Sequence, residues 1–271
     1  MEASATFKEG MMFDPRLPVA RDGDIAIVTI NQPEVRNALD LSLWQALQRT
    51  MAALSEDDDL RCVVIRGAGT QAFSAGADIG GFARDFADKP AADRYATVLH
   101  HGFQSIRLCR HPVVAMIMGA CIGGGAGIAT MCDFRVGGEG IRFGITARNL
   151  GIWYAYAEID PIVQMVGTGV VNELLIEGRI FTGREAYEKG LLTRVVADTD
   201  VEAEAMALAR RICEGSPISA RFHKAALRKL RGNLAVPDED VAAQNDFVLT
   251  EDFRAAYRAF LEKRKPHFTG R

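Results

Sequence analysis

The chain has 271 residues, of which 48% are hydrophobic, and a net charge of −3 at pH 7. That length fills one large domain, with or without a small C-terminal appendage, and the apolar fraction argues against extensive disorder. The mild acidity excludes the basic surplus that a nucleic-acid partner demands.

The N-terminal stretch "MEASATFKEGMMFDPRLP" is polar and mixed in charge, with no apolar signal core. Residues 1–20 are therefore expected to be a loose leader. "DIAIVTIN" (24–31) reads as a strand, rich in Ile and Val. Asp40 is a good N-cap for a helix running through Trp44 to Leu54. "LRCVVIRG" (60–67) reads as a buried strand, "FSAGADIGGF" (73–82) as a turn entering a short helix, and 92–109 as a helix. The segment 82–95 is expected to be mobile. "PVVAMIMG" (112–119) is a third strand, after which "GGGAG" (123–127) opens a helix through Met131. Short strands are expected near Phe134–Val136 and Arg142–Ile145. Thr182 with Glu185 makes a capping box for a helix through Lys189, and "LLTRVV" (191–196) is a last strand. Residues 200–214, 216–231, 237–249 and 251–263 read as four helices. Strands and helices alternate early and helices alone follow, which implies an α/β body with a helical C-terminal part.

No run reaches the ~20 apolar residues of a membrane span. The five cysteines, Cys62, Cys109, Cys121, Cys132 and Cys213, form no CxxC pair. They read as reduced thiols of a cytoplasmic protein. None of the five histidines has metal-ligand spacing, so no metal is expected.

Two Gly-containing turns, "SAGAD" (74–78) and "GGGAG" (123–127), each follow an apolar strand and each open a helix. Backbone N–H groups at a helix start lack partners and favour negative charge. Two such groups converging on one point would form an oxyanion hole; close packing alone is the competing reading of each turn. Neither turn fits a P-loop or a dinucleotide fingerprint. "WYAYAEID" (153–160) sets two tyrosines, Glu158 and Asp160 before an apolar helix. Those acids read either as helix caps or as site residues.

Taken together, "AFSAGADI", "GACIGGGAGIATMCDFRV", "TGREAYEKGLLTRVV" and "EDFRAAYRAFLEKRKPHFTGR" resemble the crotonase superfamily, the enoyl-CoA hydratase/isomerase family. The resemblance runs from about residue 23 to the end. It implies a crotonase-like spiral of ββα units over 21–205. A helical C-terminal subdomain over 206–271 would serve oligomerisation, as a homotrimer or a dimer of trimers, and CoA contact. It also implies an acyl-CoA substrate, with no cofactor beyond the CoA moiety and neither nucleic acid nor membrane as partner. By position, the oxyanion donors would be the N–H groups of Ala77 and Gly124. Arg36, Ala38, Ala75, Asp78, Ile79, Phe260 and Lys263 would hold the CoA.

The departures carry as much information. Hydratases of this family carry one Glu in "GGGxE" and another in "FGxPE", where this chain has Gly127 and Ala147. Simple hydration is therefore not expected. Decarboxylation of a malonyl-type thioester needs the hole but no base. A nearby carboxylate would oppose it, since like charges ~4 Å apart at a dielectric of ~20 repel by about 4 kcal/mol. "FGITARNLGIWYAY" resembles methylmalonyl-CoA decarboxylases, which implies that Thr146 and Tyr154 hold the substrate carboxylate. That pattern has His where this chain has Ala77 and Glu where it has Gly127. A second implied chemistry is aryl-CoA hydrolysis or dehalogenation. His100 matches the dehalogenase histidine, but Ala155 stands where the nucleophilic Asp would be. A third reading is a CoA-ester-binding protein without activity. Asp85, Glu158 and Asp160 are candidate substitute acids. Arg148 either pairs with a substrate carboxylate or faces solvent or a neighbouring subunit, and Trp153 is read as pocket wall.

Overall fold

The computed structural model describes residues 13–152, 154–231 and 246–271. Among the described residues ten strands divide between two sheets. The larger has the order β1 (Val19–Asp22), β2 (Ile25–Ile30), β3 (Cys62–Gly67), β5 (Val113–Ile117), β7 (Phe134–Gly138), β10 (Arg194–Val196). The smaller has the order β4 (Ala72–Ser74), β6 (Ala120–Ile122), β8 (Arg142–Gly144), β9 (Ile180–Thr182). Only β1 and β9 run antiparallel to their neighbours. Each of β3, β5 and β7 lies in the large sheet and is followed at once by β4, β6 or β8 in the small one. Helices then return the chain: α2 (Phe82–Asp85) and α3 (Lys89–Leu108) after β4, α4 (Gly124–Met131) after β6, and α5 (Tyr156–Val171) after β8. This is the expected ββα spiral.

The central strands β3 and β5 are buried on both faces, which explains their near-continuous apolar runs. Val63 and Ile65 of β3 join the main core, together with Leu43, Trp44 and Leu47 of α1 (Leu41–Ser55). Cys62 and Val64, one residue out of phase, meet Val201, Ala205 and Leu208 of α7 (Val201–Cys213). Asp40 caps α1 as expected, accepting from Leu43 N at 2.7 Å. Thr182 and Glu185 close the capping box of α6 (Gly183–Glu188). Among the described residues two further helices follow, α8 (Pro217–Arg231) and α9 (Glu251–Leu261).

Several expectations are corrected. Residues 13–20 are not a loose leader: Leu17 is fully buried, and the carbonyls of Arg16 and Pro18 accept from Asn31 N and Thr29 N. The boundary at 205/206 cuts through α7, whose apolar stripe covers the large sheet, so the body extends to Cys213. The segment 82–95 forms α2, a turn at 86–88 and the start of α3, with Tyr95 buried. Of the helix expected at 237–249, residues 246–249 form a single 3-10 turn and 237–245 lie outside the described residues. A helical run long and apolar enough to cross a membrane does exist, at 156–177. It is broken at Gly167 (φ 74°, ψ 166°), and Ile162, Val171 and Leu174 join the main core.

Candidate active site

β4 and β6 are parallel neighbours, with Ala72 beside Ala120 and Ser74 beside Cys121. Their C-terminal ends therefore release the two glycine turns from the same edge, where parallel sheets place their sites. Gly76 has φ +92°, and a Cβ there would stand 2.6 Å from Gly124 N and 2.8 Å from Ile122 O. Only glycine allows the two turns this close. A Cβ on Gly124 would lie 3.5 Å from Ala77 N, so the two amides are near neighbours.

Both amides are left free by local geometry. Leu39 forms a parallel bridge with Ala77, in which Leu39 N donates to Gly76 O (2.7 Å) and Asp78 N donates to Leu39 O (2.9 Å). Ala77 N–H, between them, points to the opposite side. Gly124 is the first residue of α4, so its N–H has no intrahelical acceptor. Ala77 and Gly124 both line one cavity of about 460 Å³.

A support absent from the sequence reading is Asn37, which is 1% exposed and has φ +56°. Its side chain accepts from Gln32 N and donates to Ala68 O (3.0 Å) and Ala72 O (2.8 Å). Its carbonyl accepts from Ser74 Oγ at 2.7 Å, and Ser74 Oγ in turn accepts from Gly76 N at 3.0 Å. Ser74 thus pins the first turn and is no nucleophile. Asn is one of the few residues that tolerates left-handed backbone, and that was the available signal.

His100, Thr146, Tyr154, Ala75 and Ile79 line the same cavity as Ala77 and Gly124. Arg36 does not line the cavity; its carbonyl accepts from Ala75 N at 2.9 Å. The Ala38 carbonyl accepts from Gln32 Nε2, and the Asp78 carboxylate caps the next helical turn through Gly80 N. Neither residue lines the cavity, nor does Phe260 (79% exposed) or Lys263 at the end of α9.

The positions of the two family glutamates are occupied differently. A Cβ on Gly127 would lie 2.6 Å from Cζ of Phe103, which itself packs edge-on against Trp44 at 4.9 Å. Phe103 therefore fills the space next to position 127. Ala147 lines the cavity with only a methyl group.

Among the described residues one carboxylate reaches the cavity. Glu158, 5% exposed, sits in the first turn of α5, where its Oε2 accepts from Ala155 N at 2.8 Å. Its Oε1 lies 3.7 Å from Nδ1 of His100. Glu158 thus caps α5 and also lines the cavity. Asp160 is exposed and bonded to Gln164, and Asp85 pairs with Arg84; neither lines the cavity. Arg148 turns away, donating to the carbonyls of Ile176 and Glu177. Ala155, at the dehalogenase nucleophile position, offers no side chain that could attack. Trp153 lies outside the described residues.

The Tyr154 hydroxyl is buried without a hydrogen-bond partner among the described residues. Burial, then the nearby Glu158 charge, push its pKa above the ordinary phenol value. Tyr154 is thus a neutral donor at working pH.

The profile of the enoyl-CoA hydratase/isomerase family matches residues 20–271. The chain belongs to that family. A crystal structure of an enoyl-CoA hydratase/carnithine racemase from Magnetospirillum magneticum superposes with a TM-score of 0.93 at 36% identity, covering 95% of this chain and 97% of that one. The crotonyl-CoA hydratase of Syntrophomonas wolfei is 29% identical over 252 residues, 92% of this chain and 95% of that protein. The short-chain-enoyl-CoA hydratase of Clostridium acetobutylicum is 28% identical over 249 residues, 90% of this chain and 94% of that protein.

Proposed function

We propose that the chain adds water across the double bond of a 2-enoyl-CoA, using Glu158 and His100 in place of the family's two glutamates. The observation that carries this reading is the shared cavity, which collects two free amides and a carboxylate–imidazole pair. The thioester oxygen accepts from Ala77 N–H and Gly124 N–H. Glu158 Oε1 takes a proton from water as the new C–O bond forms at the β-carbon. The π electrons move into the thioester as an enolate, which the two amides stabilise. The proton passes from Glu158 to the neighbouring His100, which delivers it to the α-carbon, so both groups end as they began. Hydratase relatives of nearly full length support the reading. The cytoplasm is the proposed setting, which the free thiols support. A homotrimer or dimer of trimers is the proposed assembly, supported by the exposed Phe253, Tyr257, Phe260 and Leu261 of α9.

A second reading is decarboxylation of a malonyl-type thioester. It is favoured by the unpartnered Tyr154 hydroxyl, which shares the cavity with Thr146. The Glu158 charge works against an anionic acyl group there. Mass spectrometry of the protein with crotonyl-CoA, methylmalonyl-CoA and benzoyl-CoA, in separate tubes, separates the readings. Gain of one water on crotonyl-CoA is expected. Loss of carbon dioxide from methylmalonyl-CoA, with crotonyl-CoA untouched, would establish the second reading instead.

A further inference from the structure

Three of the residues that line the cavity carry buried polar groups with no hydrogen-bond partner among the described residues. They are Trp44, through Nε1–H, and Tyr95 and Tyr154, through their hydroxyls. Trp44 is fully buried and Tyr95 is 7% exposed. An unpaired buried donor is destabilising, and native interiors pair nearly all of theirs. Here three surround one space. They come from α1, from α3 and from the segment between β8 and α5, so no single local irregularity accounts for them. Two other polar lining residues, Thr97 and Glu158, are by contrast engaged with the carbonyl of Asp93 and the amide of Ala155.

An indole N–H can only donate. Burial, then carboxylate charges (Glu158 at Tyr154, Asp85 and Asp78 at Tyr95), raise both phenol pKa values and keep both hydroxyls protonated. The group that meets all three donors is an acceptor. Its charge is narrowed by the walls. Among the described residues no Lys or Arg lines the cavity, and Glu158 does. A carboxylate there would be repelled without a counter-charge. We infer that the acyl groups taken by this cavity carry a second, neutral oxygen beyond the thioester, which accepts from the Tyr95 and Tyr154 hydroxyls with Trp44 Nε1–H as a further donor. The inference rests on the acyl-CoA reading of the cavity. Ala77 and Gly124 are occupied by the thioester oxygen, so the second oxygen is a separate specificity contact. A plain hydrocarbon chain would leave the donors unmet, which is how a site built for hydrogen bonds rejects an analogue that lacks the group.

The test is calorimetry of the full chain with octanoyl-CoA, with the four oxooctanoyl-CoA isomers whose keto group lies beyond the β-carbon and short of the chain end, and with octanedioyl-CoA. All are saturated, so none is hydrated. The isomers move one neutral acceptor along one chain. At least one of them should bind ~5-fold or more tightly than octanoyl-CoA. Octanedioyl-CoA, with its anionic end, should bind more weakly than octanoyl-CoA. In the double variant Tyr95→Phe, Tyr154→Phe the ratio between the best isomer and octanoyl-CoA should fall toward one. Isomers that all bind no better than octanoyl-CoA would overturn the inference. So would a preference that survives loss of both hydroxyls, or octanedioyl-CoA as the tightest ligand. In each of those cases thioesters still bind and the acyl-CoA reading stands. No binding of any thioester would remove both. The wild-type series decides the matter even if the double variant does not fold.

Discussion

The Phe103 ring stands where a side chain at position 127 would begin, 2.6 Å from the Cβ that Gly127 lacks. The pair explains why a residue in the interior of α4 is glycine. Elsewhere in a helix, Gly→Ala gains about 1 kcal/mol. Here Gly127→Ala should instead lose about 1–3 kcal/mol, because the ring must leave its packing on Trp44. Phe103→Leu in the same chain should restore part of the loss. Thermal or urea unfolding of the single and double variants checks this.

His100 is half exposed and makes no contact that the core depends on, beyond its approach to Glu158. His100→Gln should therefore leave the melting temperature within a degree or two while lowering kcat by about 10²-fold or more. Steady-state kinetics on crotonyl-CoA, alongside a melting curve, separates the two effects. An equal fall in stability would make His100 structural.

The Tyr154 hydroxyl is a buried donor without a partner among the described residues. Removing such a group removes its desolvation cost. Tyr154→Phe should be neutral or stabilising, by up to about 1 kcal/mol. If decarboxylation is the reaction, the same change should cut turnover of methylmalonyl-CoA much more than it weakens CoA binding. Unfolding curves and product analysis read the two consequences independently.

His111 is fully buried with neither ring nitrogen bonded to a side chain. Burial, reinforced by Arg221 and Arg110, lowers its pKa to about 4. The unfolded chain, with an ordinary pKa near 6.5, binds more protons than the folded one between those values. Stability should thus be complete above about pH 6.5 and fall, by about 3 kcal/mol, as the pH drops toward 4. His111→Gln should flatten that part of the profile. Urea midpoints at pH 4.5, 5.5 and 7 test it.

Long elements were legible in the sequence because period and capping reinforce one another. The strands at 24–31, 60–67 and 112–119 and the helix after Asp40 all formed close to their expected bounds. β4 and β6 were not legible because their three residues run straight into the glycine turns, and β9 because it ends in the Thr182 cap of α6. Yet β4 and β6 are what bring Ala77 beside Gly124. The oxyanion pair came from a family resemblance, and the sequence alone showed only two glycine turns. Phe103 opposite Gly127 joins two helices whose side chains meet only in the folded chain. Glu158 was visible as a carboxylate, but its approach to His100 depends on how α3 and α5 meet. The leader's order has a simple cause: Leu17, between Arg16 and Pro18, shows no strand or helix period, and it is buried because the chain around it pairs with the end of β2.

The most direct test of the central claim is the rate of crotonyl-CoA hydration, followed by loss of enoyl-thioester absorbance, in the wild type and in Glu158→Gln. The amide keeps an acceptor for Ala155 N, so the start of α5 is preserved. The account predicts measurable hydration by the wild type and a fall of about 10²–10⁴-fold in kcat for the variant, with little change in KM. A wild type that leaves crotonyl-CoA intact, or a variant that hydrates it at the full rate, would contradict the assignment of Glu158 and His100 as the working acid–base pair.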